Sequence, residues 1–139
     1  MNNNTDSAKN SKSIFVVDDS NVHNILLKKM LISCGYNVHT FTDGYSLLSI
    51  LKDTRPHLII SDIDMPEIDG FELCKKIKSL PESRHIPVVY VSSLKREKFY
   101  GRAKETGAVG YIQKPITKQP FLEAIEEKLL DSGPKSISM

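Results

Sequence analysis

The chain has 139 residues, of which 40 % are hydrophobic and 26 % charged, and its 19 lysines and arginines nearly balance 17 aspartates and glutamates. This is the length and composition of one globular domain, and the small net charge argues against a dedicated nucleic-acid-binding protein. No apolar run is long enough to span a bilayer, and the polar N-terminus lacks the apolar core of a secretory signal. The two cysteines, Cys34 and Cys74, lack metal-ligand spacing, so we expect them to be reduced core residues, both within helices, of a cytoplasmic protein.

Polar segments flank the predicted domain. Residues 1–12 and 131–139 are poor in large apolar side chains and cannot offset the entropy lost on ordering. We therefore expect a disordered lead-in and a flexible tail around a domain at 13–130. Within this domain, short β-rich apolar runs alternate with helical patterns. The predicted strands are 14–17, 38–41, 58–60, 88–91 and 111–113.

A helical pattern follows each predicted strand. Apolar residues at helical spacing mark the first helix as far as Cys34, where a glycine ends it. They mark the third helix as far as Leu80, which Pro81 follows. The second and fifth helices are predicted around 45–52 and 122–129.

The fourth predicted helix, at about 94–106, differs from the others. Its apolar stripe of Phe99 and Ala103 is thin, and its charged residues are mostly basic. Gly101 lies in its interior, where glycine costs about 1 kcal/mol relative to alanine. We expect this helix to be the most loosely held, with its charges forming either a solvated face or a docking surface.

Strands that alternate with helices through short loops predict an α/β fold with a parallel sheet covered on both faces. The apolar runs IFVV, LII and VVYV are typical of strands buried on both sides. Right-handed crossovers favour a flavodoxin-like, doubly wound sheet of five strands in the order 2-1-3-4-5, flanked by five helices. In such sheets, functional residues gather at the carboxyl ends of the strands.

Polar residues follow four of the predicted strands at that edge. Asp18 and Asp19 follow the first strand and Asp62 follows the third, while Ser92 and Lys114 follow the fourth and fifth. A cluster of carboxylates repels itself unless a cation occupies it. Carboxylate oxygens without histidine or thiolate ligands favour Mg²⁺ or a similar hard ion. Taken singly, Asp18 is equally compatible with a helix N-cap and Asp62 with a strand-end turn.

At these residues the sequence resembles the receiver domain of two-component response regulators, in particular the stand-alone, chemotaxis-regulator-like members. The resemblance covers about residues 13–130. The motifs that carry it are VVDDS at 16–20, IISDIDMP at 59–66, Asp69-Gly70, PVVYVSS at 87–93 and GYIQKP at 110–115.

The resemblance implies that Asp62 accepts a phosphoryl group from a phosphohistidine on a sensor histidine kinase or histidine phosphotransfer protein. Asp18, Asp19, Asp62 and the backbone carbonyl of Asp64 would hold Mg²⁺, with Asp18 acting through water. By the same resemblance, Lys114 would pair with the phosphoryl group, and the Ser92 hydroxyl would move towards it. Tyr111 would then turn inward, and the Lys114–Pro115 peptide would be cis.

Some residues stand outside or depart from this pattern. We expect the histidines to be surface or loop residues and not part of the site; they are His23, His39, His57 and His85. Asn24 replaces an arginine that is common in the family, which puts only a surface salt bridge in doubt. Asp64 and Leu94, each two residues past an implied site residue, would influence how water reaches the acyl phosphate.

The implied function is that of a single-domain response regulator that signals through its helix 4, strand 5 and helix 5 face and catalyses only its own phosphorylation and dephosphorylation. An unidentified downstream protein would read that face, because no DNA-binding domain follows residue 130. The first alternative is a phosphate relay or sink between histidine-containing proteins. A receiver-like module that binds partners without phosphorylation would normally lack a pocket residue, and none is missing. A haloacid-dehalogenase-type phosphatase shares the motif Asp62-Ile63-Asp64, but there the acidic pair comes last.

Overall fold

The computed structural model describes residues 12–130, in which strands and helices alternate strictly along the chain. The strands are β1 (Ser13–Val17), β2 (Asn37–Phe41), β3 (Leu58–Ser61), β4 (Val88–Ser92) and β5 (Gly110–Gln113). The helices are α1 (Asn21–Ile32), α2 (Gly44–Leu51), α3 (Gly70–Ser79), α4 (Arg96–Glu105) and α5 (Lys118–Leu130). Each predicted element is present.

The strands form one five-stranded sheet in the order β2-β1-β3-β4-β5, and every pairing is parallel. This confirms the predicted flavodoxin-like order. The sheet is two-sided because successive side chains of a strand point to opposite faces. In β1, Phe15 and Val17 pack with residues of α2 and α3, whereas Ile14 and Val16 pack with residues of α1 and α5.

Side-chain caps start three of the helices close to the carboxyl edge of the sheet. Ser20 caps α1, Asp43 caps α2 and Asp69 caps α3, each by accepting a hydrogen bond from a backbone N–H three residues later. By contrast, Lys95 makes no side-chain cap for α4. The only buried residue of α4 is Ala103, which confirms the thin apolar stripe that the sequence predicts.

Two predicted details are wrong. Cys34 lies in the turn after α1 and not within the helix, because α1 ends at Ile32. Leu80 lies beyond α3 in an extended conformation, which is the conformation favoured before a proline such as Pro81.

The predicted lead-in overlaps the described residues only at Lys12, whose carbonyl oxygen accepts a hydrogen bond from Asn37 N–H. The predicted tail lies outside the described residues.

Candidate functional site

The polar residues that the sequence places at strand ends lie together at one edge of the sheet. Asp18 and Asp19 directly follow β1, Asp62 follows β3, Ser92 ends β4 and Lys114 follows β5. Ser92 is fully buried, and Asp18 and Asp62 are only 2 % and 9 % exposed. Asp19 is exposed at the rim, so the group forms a pocket that opens to solvent on one side.

Three carboxylates form the floor of this pocket. One oxygen each of Asp18, Asp19 and Asp62 lies within 4.8 Å of the other two. Burial raises the pKa of Asp62 above its ordinary value; the Lys114 ammonium opposes this shift and the Asp18 carboxylate adds to it. This crowding of negative charge in a partly desolvated pocket favours a bound cation.

Lys114 supplies a fixed positive charge opposite the carboxylates. Its ammonium nitrogen is 2.8 Å from Asp18 Oδ2 and 3.6 Å from Asp62 Oδ2. Its backbone N–H donates to the Ser92 carbonyl oxygen at 2.8 Å, and the Lys114–Pro115 peptide is cis. The lysine is therefore held from both its backbone and its side chain.

Backbone hydrogen bonds orient the two buried carboxylates. Asp18 Oδ1 accepts from Ser20 N–H at 2.9 Å, and Asp62 Oδ1 accepts from Ile63 N–H at 2.7 Å. The N-cap of α1 is Ser20 and not Asp18. The alternative interpretation of Asp18 as the helix N-cap is therefore wrong. The second carboxylate oxygen of Asp18 contacts Lys114 instead.

Gly70, the first residue of α3, lies directly against the loop that carries Asp62. A Cβ atom at this position would overlap the Asp62 carbonyl oxygen and lie 2.8 Å from Ile63 Cα. The absence of a side chain lets Gly70 N–H donate to the Ile63 carbonyl oxygen at 2.8 Å. Glycine is therefore required sterically at this point of the Asp69-Gly70 motif.

Ser92 and Tyr111 connect the pocket to the segment that precedes α4. Ser92 Oγ accepts a hydrogen bond from Leu94 N–H at 3.2 Å, and Tyr111 Oη donates to the Leu94 carbonyl oxygen at 2.8 Å. Burial raises the pKa of Tyr111, whose ring packs edge-on against Tyr90. Tyr111 is buried, with its ring inside the protein and its hydroxyl on the backbone of the segment that leads into α4.

Two residues of α1 belong to the site although the sequence analysis placed them outside it. His23 Nδ1 lies 2.9 Å from Lys114 Nζ and 3.5 Å from Asp18 Oδ2. Asn24 is buried, and its Nδ2 donates to the carbonyl oxygens of Asp18 and Phe41 at 2.9 and 3.1 Å. His23 is at the surface as expected, with its side chain 45 % exposed, but the expectation that it lies outside the site is wrong. Asn24 is buried and not at the surface. Both reach the site because the first turn of α1 starts immediately beside the end of β1. The signal that could have found them is this position in the first helical turn after the acidic pair.

The other predicted site residue, Asp64, is exposed on the loop that follows Asp62. His39, His57 and His85 are exposed, as the sequence predicts. Among residues 12–130, no helix combines the length and the apolar character needed to cross a membrane.

Comparisons with known proteins agree with this architecture. A family model described as the response regulator receiver domain matches residues 14–126. The polar-differentiation response regulator DivK of Brucella anthropi is 33 % identical over 121 residues, which are 87 % of this chain and 98 % of that protein.

Two solved structures show the same likeness. The signal receiver domain of a signal transduction histidine kinase from Syntrophus aciditrophicus has a TM-score of 0.80 at 33 % identity, covering 93 % of this chain and 98 % of that one. The chemotaxis response regulator CheY4 of Vibrio cholerae has a TM-score of 0.79 at 28 % identity, covering 84 % and 98 %. These likenesses do not favour the phosphatase alternative. Since the family model spans almost all of the described residues, the chain belongs to the family of response regulator receiver domains.

Proposed function

We propose that this response regulator receives a phosphoryl group on Asp62 from a phosphohistidine of a sensor histidine kinase or histidine phosphotransfer protein. The observation that carries the proposal is the position of Asp62 at the end of the central strand β3. Its carboxylate lies within 4.8 Å of two other carboxylates and 3.6 Å from the Lys114 ammonium. Phosphoryl transfer depends on such positioning and charge neutralisation more than on covalent assistance.

In the proposed step, a carboxylate oxygen of Asp62 forms a bond to phosphorus while the bond between phosphorus and the donor imidazole breaks. The imidazole nitrogen keeps the electron pair of the broken bond and takes up a proton. Lys114 pairs with one phosphoryl oxygen, and the buried Ser92 hydroxyl donates to another. In this role the protein would catalyse only its own phosphorylation and dephosphorylation.

The carboxylate cluster fits Mg²⁺. Asp18, Asp19 and Asp62 offer hard oxygen ligands, and Asp19 lies at the exposed rim, where water can complete the coordination. Together with the backbone carbonyl of Asp64, these residues would hold the ion. When bound, Mg²⁺ supplies positive charge for the phosphoryl oxygens.

Labelling with acetyl phosphate tests the assignment of Asp62. Wild type should take up one phosphoryl group with Mg²⁺ and none with EDTA, and Asp62→Asn should take up none. Asp64→Asn is the matched control, because Asp64 is a neighbouring exposed carboxylate, and it should still be labelled. Labelling of Asp62→Asn at the wild-type rate would refute the assignment.

We further propose that the phosphohistidine protein docks on the exposed apolar face of α1. Val22 and Ile25 are 73 % and 57 % exposed, and Leu26 is exposed beside them. Leu26 also lines a cavity of about 130 Å³ that reaches Lys114 and Pro115. Apolar side chains beside the pocket suit a partner that must bring a histidine to Asp62.

Phosphotransfer from a purified phosphohistidine protein tests this surface. Ile25→Asp should slow transfer from the protein donor but leave labelling by acetyl phosphate unchanged. Ile50→Asp, on an exposed apolar residue of α2, is the control and should leave both rates unchanged. Equal slowing by both variants would contradict docking on α1.

The proposed output surface is the face formed by α4, β5 and α5, read by a separate downstream protein. Three observations support it: Lys95 provides no side-chain cap for α4, the helix buries only Ala103, and the Leu94 backbone before it contacts both Ser92 and Tyr111. An element with little packing energy changes its population in response to small differences in contact.

Chemical-shift mapping with beryllofluoride as a phosphoryl mimic tests the output surface. Shifts should extend from the pocket to Phe99, Tyr100 and Tyr111. Shifts confined to the pocket would overturn signalling through this face and would favour the alternative role as a phosphate relay or sink.

A further inference from the structure

His23 stands at the rim of the pocket in a fixed position. It is the third residue of α1, and its backbone N–H donates to the Ser20 hydroxyl that caps the helix, at 3.3 Å. Its side chain is 45 % exposed, yet its Nδ1 atom points inward and lies 2.9 Å from Lys114 Nζ.

The chemistry of lysine settles the direction of this contact. A lysine ammonium has three N–H donors and no acceptor, so Lys114 donates and His23 Nδ1 accepts. An imidazolium at this distance from an ammonium would place two positive charges in contact.

Two of the three N–H donors of the Lys114 ammonium have hydrogen-bond partners. One points to Asp18 Oδ2 at 2.8 Å and one to His23 Nδ1 at 2.9 Å. The nearest oxygen of Asp62 is 3.6 Å away, longer than a hydrogen bond. Two anchors hold the ammonium beside Asp62 and leave its third donor available in that direction.

We propose that His23 is a positioning residue that holds the Lys114 ammonium in place for phosphoryl transfer to Asp62. This inference rests on the proposed function. Asp18 belongs to the carboxylate cluster, so its negative charge is shared once a cation enters the pocket. His23 is outside that cluster, and its Nδ1 accepts a hydrogen bond from Lys114. Without His23, the flexible Lys114 side chain would have Asp18 as its single hydrogen-bond partner, and a cation in the pocket would partly neutralise the charge of Asp18.

Two substitutions separate the acceptor from the bulk of the ring. His23→Leu removes the acceptor, whereas His23→Asn can place an amide oxygen near the position of Nδ1. His85→Leu is the control, because His85 is an exposed histidine in the loop between α3 and β4. Thermal melting of each variant confirms that it is folded.

The first readout is the NMR signal of the Lys114 ammonium in protein labelled with ¹⁵N at lysine Nζ and assigned with Lys114→Arg. His23→Leu should shift this signal, and His85→Leu should leave it in place. The second readout is the rate of labelling by acetyl phosphate with Mg²⁺. His23→Leu should lower this rate by about tenfold or more, the scale of one lost hydrogen bond to a charged group, and His23→Asn should restore most of it.

The proposal requires both results. An unchanged Lys114 signal in His23→Leu would overturn it, and so would a wild-type labelling rate in that variant or a rate that His23→Asn fails to restore. Failure of the proposed function is recognised separately, because wild type would then take no label on Asp62.

Discussion

Replacing Gly70 by alanine tests how tightly α3 is joined to the loop that carries Asp62. The new Cβ would overlap the Asp62 carbonyl oxygen and lie 2.8 Å from Ile63 Cα and 3.1 Å from the Asp62 carbonyl carbon. These are backbone atoms, so no side-chain rotation relieves the contact. Either the start of α3 or the Asp62 loop must move, and the hydrogen bond from Gly70 N–H to the Ile63 carbonyl oxygen would be strained or lost.

The cost is set by steric crowding and the lost hydrogen bond. Overpacking a buried position costs about 1–3 kcal/mol, and a lost hydrogen bond adds about 1 kcal/mol. Alanine favours the helix over glycine, and this offsets the loss of stability by at most about 1 kcal/mol. We therefore expect Gly70→Ala to lower the free energy of unfolding by about 2 kcal/mol. Because either movement changes the contact that supports the Asp62 loop, the rate of labelling by acetyl phosphate should fall by about tenfold.

Gly101→Ala is the matched control for the same chemical change. A Cβ at Gly101 would have no atom within 4 Å, and the residue lies inside α4. The substitution should raise the free energy of unfolding by up to about 1 kcal/mol. Urea denaturation followed by circular dichroism measures both variants. Wild-type stability of Gly70→Ala would refute the close approach of α3 to Asp62, and a destabilised Gly101→Ala would refute the open helical position.

Three further predictions follow from the pocket. Asp19→Asn should weaken Mg²⁺ binding by about tenfold, measured from the rise in melting temperature during a Mg²⁺ titration, and an unchanged affinity would contradict the ligand assignment. Folding raises the pKa of Asp62, chiefly through burial, so the folded protein holds this proton more tightly than the unfolded chain does. The free energy of unfolding therefore falls as the pH rises from the unfolded to the folded pKa of Asp62. In EDTA, Asp62→Asn should therefore be more stable than wild type at neutral pH, and this difference should disappear in acid. Asn24→Ala should lose about 1–3 kcal/mol of stability in urea denaturation, because the Asp18 carbonyl oxygen loses the amide donor of Asn24 and the Phe41 carbonyl oxygen keeps only Asp18 N–H.

The local features of the fold could be predicted because they depend on neighbouring residues. The apolar runs of β1, β3 and β4 are long enough to identify strands buried on both faces, and these strands lie in the centre of the sheet. Handedness rules for parallel crossovers then left few topologies, and the commonest of them for five strands has the observed order. The residues directly after each strand had to meet at one edge, so Asp18, Asp62 and Lys114 were placed correctly before any distance was known.

Helix ends were less predictable. Apolar spacing suggested that Leu80 continues α3, but the restriction that Pro81 places on the preceding backbone ends the helix at Ser79. The same spacing included Cys34 in α1, although the chain turns there to enter β2. The spacing of apolar residues shows which face of a helix is apolar. It does not show where the backbone hydrogen bonds of the last helical turn end.

The sequence alone therefore determined the fold class, the order of the strands and the set of charged residues at the carboxyl edge, because each depends on local pattern and chain connectivity. Only the tertiary structure decided how side chains from different elements meet. His23 and Lys114 are 91 residues apart in the chain, and their contact depends on the rotation of α1 about its axis, which packing against the sheet sets. The inward position of Tyr111 likewise depends on the Leu94 carbonyl oxygen of a neighbouring loop. Such contacts arise from packing between distant segments, and no spacing within either segment records them.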